Sequence, residues 1–302
     1  MYDICVIGGG PAGMTAALYS LRAGRSTLLM EEKSYGGQMA ETGVIENMPG
    51  SPDAYGWELT MRFQQQVEAM EVKTCYERAV SLEPQEGFTR IQTEQGTYEA
   101  RKVILAMGVR RRRLGVPGEE RLAGKGVGWC AVCDGAFFRN QTVAVAGGGN
   151  TALEDALYLS GICEKVYLLV RSHFFRAQEL LAQRVREKEN IEVLWNTQVT
   201  EILGEEKVSG LRILQEGAEK SLTVSGLFVA IGLQPDRSLY EGLLETDQNG
   251  YVSAGEDCRT SVPGIFAAGD VRTKEIRQIV TALGDGAVAA ELAGRELQLE
   301  GS

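Results

Sequence analysis

The chain has 302 residues, 44% hydrophobic and 24% charged, with a formal net charge of -10. That length accommodates two domains with cores of their own. The acidic balance argues against nucleic acid, since the one basic run, Arg110, Arg111, Arg112 and Arg113, reads as a solvated loop. No apolar run reaches membrane-spanning length, and Met1-Tyr2-Asp3 leads straight into a strand without room for a leader, so a cytoplasmic protein with no membrane partner is expected.

Residues 3–7 form a short apolar run that reads as a buried strand, and Gly8-Gly9-Gly10-Pro11-Ala12-Gly13 follows at once. This is the pattern of a dinucleotide-binding turn. Gly8 permits the tight turn, Gly10 lets backbone approach a pyrophosphate, and Gly13 lets the next helix pack on the strand. A helix is predicted over residues 14–23, stopped by Gly24, then a strand over 27–30. Glu31 at that strand's end can accept hydrogen bonds from both ribose hydroxyls. Strand, helix, strand and acid in register make the pattern specific for an adenine dinucleotide, where a lone glycine motif would not be.

From residue 31 to 56 the chain is glycine-rich and irregular, with Gly36-Gly37-Gln38 and Glu46-Asn47-Met48-Pro49-Gly50 as its recognisable pieces; loops of this kind line ligands. An amphipathic helix is predicted over 57–70. Alternating stretches within 72–100, such as 88–93, suggest antiparallel strands, and 103–106 is another buried strand. A linker follows Gly108, near Pro117-Gly118.

Trp129-Cys130-Ala131-Val132-Cys133-Asp134-Gly135 then reads as a redox dithiol. Two thiols separated by two residues close a small disulfide ring with little chain movement, and one becomes a nucleophilic thiolate near neutral pH. The spacing also suits half a zinc site, but no second ligand pair follows and the one histidine, His173, stands alone, so no metal is expected. Cys5, Cys75, Cys163 and Cys258 are scattered and read as buried or inert. Asp134 abuts a reactive cysteine. It is a candidate acid for protonating a leaving thiolate, or else a helix cap.

After the dithiol the chain repeats itself. Residues 143–146 are a strand, Gly147-Gly148-Gly149-Asn150-Thr151-Ala152 a second dinucleotide turn, and 153–160 a helix. Residues 8–19 and 147–158 align without a gap, sharing the glycine triplet and a closing Ala-Leu-Tyr. In that register Glu31 falls opposite Val170, so the second unit lacks the ribose acid; Arg171 comes next and Arg176 follows. A 2'-phosphate is repelled by an acid and attracted by arginine, which favours NADPH over NADH, against the plain alternative of two exposed basic residues. A charged helix over 177–189 and strands at 192–194, 199–203 and 211–214 complete that unit. Residues 227–231 form a strand, Gln234-Pro235-Asp236 reads as a return linker, 264–270 is strand then turn with Asp270 at the turn, and 279–297 is a closing helix. The expected fold class is α/β, with two Rossmann-like dinucleotide-binding domains: a nucleotide domain carrying the dithiol, residues 113–239, inserted into a discontinuous first domain, residues 1–112 and 240–302.

Together the first glycine turn, Gly36-Gly37-Gln38, Glu46-Asn47-Met48-Pro49-Gly50, the Cys130-to-Gly135 motif, the second glycine turn, Gly269-Asp270 and Arg277-Gln278 closely resemble the low-molecular-weight thioredoxin reductases nearly end to end. The dithiol's place between the two nucleotide turns is telling, because related flavin disulfide reductases carry theirs in the FAD domain. The resemblance implies FAD held by Gly8, Gly10, Pro11, Ala12, Gly13 and Glu31. Gly37, Gln38 and Asn47 would lie near the flavin, Gly269 and Asp270 at the ribityl chain, and Arg277 and Gln278 would present backbone groups to the ring. It implies NADPH held by Gly147, Gly149, Asn150, Thr151, Ala152, Arg171 and Arg176. Cys133 would face the flavin and Cys130 the protein substrate, oxidised thioredoxin, in a homodimer whose inserted domain rotates about the two linkers. Many members show His-Arg-Arg where this chain has Val170-Arg171-Ser172. A hydrogen bond to a charged group contributes about 1.5–3 kcal/mol, so the missing arginine weakens phosphate binding by roughly one to two orders of magnitude. Met107 stands where threonine is usual, with no consequence assigned. The alternatives are a related reductase driven by NADH or ferredoxin, a flavin dithiol oxidase using oxygen, and a nucleotide-sensing module with a redox-dead flavin.

Overall fold

The computed structural model describes residues 1–300 except Gly43, Glu46 and Asp53, so Glu46 of the loop motif lies outside the described residues. The chain forms two compact units, Met1–Arg110 with Gln234–Ser302, and Arg111–Leu233. Both boundaries fall earlier than the expected 112 and 239. Within the second unit Arg112 donates its backbone N–H to Gly232 O (2.9 Å) and its Nε to Leu233 O (3.1 Å). Leu239 and Tyr240 instead lie buried in the core of the first unit.

In the first unit β1 (Tyr2–Ile7) runs into α1 (Pro11–Arg22) and returns as β2 (Thr27–Met30), parallel to β1. Two short strands, β3 (Val44–Ile45) and β4 (Ala54–Tyr55), pair antiparallel ahead of α2 (Gly56–Glu68). β5 (Lys73–Cys75) then joins the far side of β2 in parallel, although it falls within the stretch 72–100 expected to hold antiparallel strands. β6 (Ala79–Gln85) and β7 (Phe88–Thr93) form the expected antiparallel hairpin. β8 (Thr97–Leu105) is one long strand where the sequence suggested an alternating stretch and a separate apolar run. Its beginning pairs with β7, while its end lies parallel to β1. That division explains the two textures: the end is buried on both faces and therefore continuously apolar.

The chain passes between the units along β9 (Arg110–Arg111) and, on its return, a strand that pairs with it. The four arginines are therefore not an idle loop. Arg110 Nη2 lies 3.1 Å from both Glu32 and Asp236, and Arg113 pairs with Glu120 at 2.9 Å. The second unit contains β10 (Val127–Gly128), α3 (Ala131–Asp134), β11 (Thr142–Ala146), α4 (Asn150–Ser160), β12 (Lys165–Leu169), α5 (Glu179–Arg186) and β13 (Ile191–Leu194). An antiparallel group follows, β14 (Thr197–Leu203), β15 (Gly210–Gln215) and β16 (Ala218–Leu222), and then β17 (Gly226–Val229). β16 was not expected, because Glu219, Lys220 and Ser221 are exposed and leave no apolar alternation. Among the described residues the parallel strands run β10-β17-β11-β12-β13. α4 covers one face through Leu153, Ala156 and Leu159 against Val143 and Val145. The antiparallel group covers the other through Leu211 and Ile213, beside Ala144 and Ala146.

The return strand is β18 (Leu233–Gln234); β19 (Ile265–Ala267) then adds to the end of β8, and α6 (Ile279–Glu300) closes the first unit. Alternate residues of its sheet point to two cores: Ile4, Val6, Ile104 and Phe266 toward α1 and α6, and Cys5, Ile7, Val103 and Ile265 to the opposite face. α1 and α6 meet through small residues, Ala12 and Ala16 against Gly286, Ala289 and Ala293, and a methyl at Gly286 would overlap the Ala12 carbonyl oxygen. Among the described residues no helix is long and apolar enough to cross a membrane. Forcing a methyl into that contact costs about 1–3 kcal/mol. Gly286→Ala is therefore expected to lower the thermal midpoint of the first unit, as followed by circular dichroism; an unchanged midpoint contradicts the packing described.

Candidate active site

The first glycine turn is fixed by crowding. Gly8 has φ +110, and a Cβ there would stand 2.5 Å from Ala106 O; a Cβ at Gly13 would overlap the Gly8 carbonyl oxygen. The β1–α1 corner can therefore close this tightly only without side chains. Gly10 differs, with nothing within 4 Å of where its Cβ would be, and Gly37 (φ +53) approaches it, its own Cβ position 3.7 Å from the Gly10 Cα. Pro11 opens α1 with no side-chain cap from Gly10, so the helix's first amides are left for an anion. Glu31 turns back on this corner, Oε2 accepting the Gly9 N–H at 2.6 Å and Oε1 the Lys33 N–H at 3.0 Å.

Of the other residues expected at the first nucleotide, Gly269 reaches the same corner and brings Asp270 with it. Gly269 lies against Ala12, where its Cβ would be 2.8 Å from that of Ala12, so Asp270 is carried to the start of α1. Asp270 Oδ1 is buried without a hydrogen-bond partner among the described residues. Burial pushes its carboxyl above the ordinary range, against the pull of Lys274 and Arg277. Arg277 lies 3.9 Å over the Tyr251 ring and donates to the carbonyls of Asp270 and Arg272, both at 3.3 Å. Asn47 Nδ2 donates to Gln278 Oε1 (2.9 Å), and Gln38 Nε2 to Val109 O (3.1 Å). The Gln278 amide, expected to face a ring, is bonded to Thr281 Oγ1 at 3.1 Å.

The second turn repeats the first with one change. Gly148 stands to Val170 as Gly9 stands to Glu31: a Cβ at Gly9 would lie 3.0 Å from Glu31 Oε2, and one at Gly148 would lie 2.9 Å from Val170 Cγ1. A buried methyl thus replaces the carboxylate. Arg176 donates its backbone N–H to Gly148 O (2.7 Å), which seats it beside the turn with its side chain exposed, and Arg171 is exposed just beyond β12. Asn150 Oδ1 accepts the Gln178 N–H at 2.8 Å, Thr151 is exposed and Ala152 is buried. Gly147 packs against Ala230, and Gly149 is bare apart from Arg176 O, 3.9 Å from its Cβ position.

Cys130 and Cys133 form a disulfide with Cα atoms 5.3 Å apart, at the start of α3. The Cys133 N–H donates to Cys130 Sγ at 3.2 Å, and the Asp134 N–H to Cys130 O at 3.1 Å. Asp134 closes α3 with its carboxyl against β10, where a Cβ on Gly128 would lie 2.9 Å from Oδ2. The helix rests on α4: a Cβ at Gly135 would touch Leu159 and Tyr158 at 3.0 and 3.1 Å. The other four cysteines are buried free thiols. Burial pushes Cys163 to about 11 and Cys258 to about 12, and raises Cys5 and Cys75 as well, so none competes with the dithiol as a thiolate.

Residues 2–286 match the pyridine nucleotide-disulphide oxidoreductase family. The chain is 41% identical over 301 residues to a thioredoxin reductase of Listeria monocytogenes, covering 99% of this chain and 94% of that protein. It is 40% identical over 294 residues to the thioredoxin reductase of Bacillus subtilis, covering 96% and 93%. Among solved structures, Lactococcus lactis thioredoxin reductase in its FR conformation matches with a TM-score of 0.89 and 40% identity, over 99% of this chain and all of that one. This chain belongs to the pyridine nucleotide-disulphide oxidoreductases, among the thioredoxin reductases.

The family's flavin and pyridine nucleotide fit the residues present. Asp270 Oδ1 is a buried acceptor lacking a donor, as a ribityl hydroxyl would supply, and the bare backbone of Gly10 and Gly37 forms a cradle that any side chain would fill. Sequence reasoning missed the group beneath this corner. Asp285 Oδ1 accepts from Arg272 Nη2 (2.8 Å), and Oδ2 accepts from Arg272 Nε (2.8 Å), Lys274 Nζ (2.7 Å) and the Gly269 N–H (2.9 Å), all with little exposure. The available signal was an acid in the small-residue stripe of a helix, between Ala282 and Ala289. Burial works against ionisation of Asp285, but the bonds from Arg272 and Lys274 outweigh it and hold the carboxyl below its ordinary range. Its contribution to stability is therefore full above the unfolded-state value, about 3.9, and is lost as pH falls through the lower folded-state value. Removing one partner of such a buried group costs about 3–5 kcal/mol. Asp285→Ala is expected to purify with reduced flavin content and a lowered thermal midpoint at pH 7, and to lose part of the wild type's decline in midpoint below about pH 4. Full flavin occupancy with an unchanged midpoint argues against the cluster's role.

Proposed function

We propose that the protein is an NADPH-dependent thioredoxin-disulfide reductase in which Cys130–Cys133 carries electrons to oxidised thioredoxin. The observation that carries this reading is the disulfide at the start of α3, in the same unit as the second glycine turn, with one sulfur already receiving an amide. FAD would be held at the first turn by Gly8, Gly10, Gly13, Glu31 and Asp270, and the nicotinamide nucleotide at the second by Gly147, Gly149 and Asn150. When bound, the flavin takes a hydride from the nicotinamide and passes the electron pair to a disulfide.

The chain's own residues do the rest. Reduction through Cys133 breaks the Sγ–Sγ bond and leaves Cys130 as a thiolate, stabilised by the Cys133 N–H it accepts. That thiolate attacks one sulfur of the thioredoxin disulfide, forming a mixed disulfide as the other sulfur leaves as a thiolate, which Asp134 protonates. Cys133 then attacks Cys130 Sγ, releases reduced thioredoxin and restores the starting disulfide. The donor preference rests on charge. Val170 stands where a ribose acid would repel a 2'-phosphate, and Arg176, tied to Gly148 by its backbone, sits beside the turn with Arg171.

Two experiments test this. Cys130→Ser should keep anaerobic bleaching of the flavin by NADPH and lose thioredoxin turnover; turnover that persists removes Cys130 from the pathway. Arg171→Gln with Arg176→Gln should raise KM for NADPH by roughly one to two orders of magnitude and leave KM for NADH nearly unchanged. Equal effects on both nucleotides count against a phosphate site there.

A further inference from the structure

α4 carries one acid on its inner side. Ala152, Ala156 and Leu159 are fully buried, and Asp155 shares their stripe at helical spacing, half-buried. Its carboxyl accepts the backbone N–H of Ala131, the first residue of the dithiol helix and the neighbour of Cys130, and interacts with the Arg111 guanidinium. Among the described residues the other charged group acting on it is Glu154 of its own helix; β11 and β12 present apolar side chains to α4, and Asp134 closes α3 a turn beyond the amide. The same junction is tight elsewhere, with Tyr158 Oη donating to Val132 O at 3.5 Å.

An acid is a costly choice for this position. Burial pushes the Asp155 carboxyl up to about 6, only partly offset by Arg111 and the Ala131 amide. An asparagine could accept the same amide without a charge to desolvate. What the carboxylate adds is a charge bonded to the amide of the residue that follows Cys130.

We propose that Asp155 is a positioning residue for dithiol–disulfide exchange: it clamps the first turn of the dithiol helix through the Ala131 amide and, balanced by Arg111, sets the field at the Cys130 sulfur. This rests on the reading of Cys130 as the attacking thiol. An ionised Asp155 opposes formation of the Cys130 thiolate, and Arg111 favours it. Conversely, a thiolate at Cys130 raises the affinity of Asp155 for a proton, so the two anions are not held together at low pH.

The test is the pH profile of Cys130 alkylation by iodoacetamide in the anaerobically reduced holoenzyme, read at Cys130 by mass spectrometry. Asp155→Asn keeps an acceptor for Ala131 and removes the charge, so the profile's midpoint should move down by roughly half to one pH unit. Arg111→Gln should move it up by a similar amount, and Asp155→Glu, which retains the charge, should stay near the wild type. Midpoints that do not move, or that move in the same direction in the Asn and Gln variants, overturn the proposal, since opposite signs are what a packing role cannot produce. If Asp155→Asn does not fold, Arg111→Gln and Asp155→Glu still decide the matter: an Arg111→Gln midpoint that does not rise while Asp155→Glu stays near the wild type overturns the proposal. Alkylation is independent of thioredoxin turnover. Failure of the wild type to reduce thioredoxin would overturn the function above while leaving these shifts readable, and turnover lost in Cys130→Ser without the shifts would overturn only the role of Asp155.

Discussion

The structure depends on how closely backbone passes backbone at the corner between β1 and α1. Gly13 presses on the Gly8 carbonyl, and Gly8 on Ala106 at the end of β8, so strand, turn and helix are locked together where no side chain intervenes. The same economy of side chains continues outward. Ala12 receives Gly269 on one side and Gly286 on the other, which draws the Asp270 turn and α6 onto the start of α1. Among the described residues, a corner packed this way leaves the first amides of α1, the bare backbone of Gly10 and one Asp270 carboxylate oxygen without a partner, the features a dinucleotide uses.

The second unit uses the corner again and alters its chemistry by one residue. Glu31 and Val170 occupy equivalent places against Gly9 and Gly148. The first place holds a carboxylate bonded to the Gly9 and Lys33 amides, the second a buried valine with Arg176 seated beside its turn, and the proposed difference in nucleotide rests on that exchange. The dithiol adds what a nucleotide fold lacks, a pair of sulfurs at the start of a helix, one of them already accepting the Cys133 N–H.

What the sequence made legible of the candidate site is its local motifs. Glycine spacing, the acid at a strand end and two cysteines three apart each declare themselves within a dozen residues. Features that depend on distant segments could not be read this way. β8 looked like two pieces because its halves meet different neighbours, β7 at one end and β1 and β19 at the other. β5 is too short, at three residues, to show a period, and lies within the stretch 72–100 read as antiparallel, yet it joins the parallel sheet at its edge beyond β2. β16 has no apolar pattern because it is an exposed edge. Asp285 and Asp155 are single acids in otherwise apolar helical stripes, and their meaning comes from Arg272, Lys274 and Arg111, which the sequence places 13, 11 and 44 positions away. The arginine run looked like a solvated loop because its acidic partners Glu32 and Asp236 lie far along the chain.

The central claim is that a protein disulfide is attacked by Cys130 and no other sulfur of this chain. The most direct measurement is trapping: a reduced Cys133→Ser variant is mixed with a thioredoxin that lacks its resolving cysteine and carries its remaining cysteine as an aryl mixed disulfide, so that attack displaces the aryl thiolate, and the covalent adduct is mapped by mass spectrometry. One adduct is expected, joined at Cys130. An adduct at Cys5, Cys75, Cys163 or Cys258, or none despite a free Cys130 thiol, would contradict it.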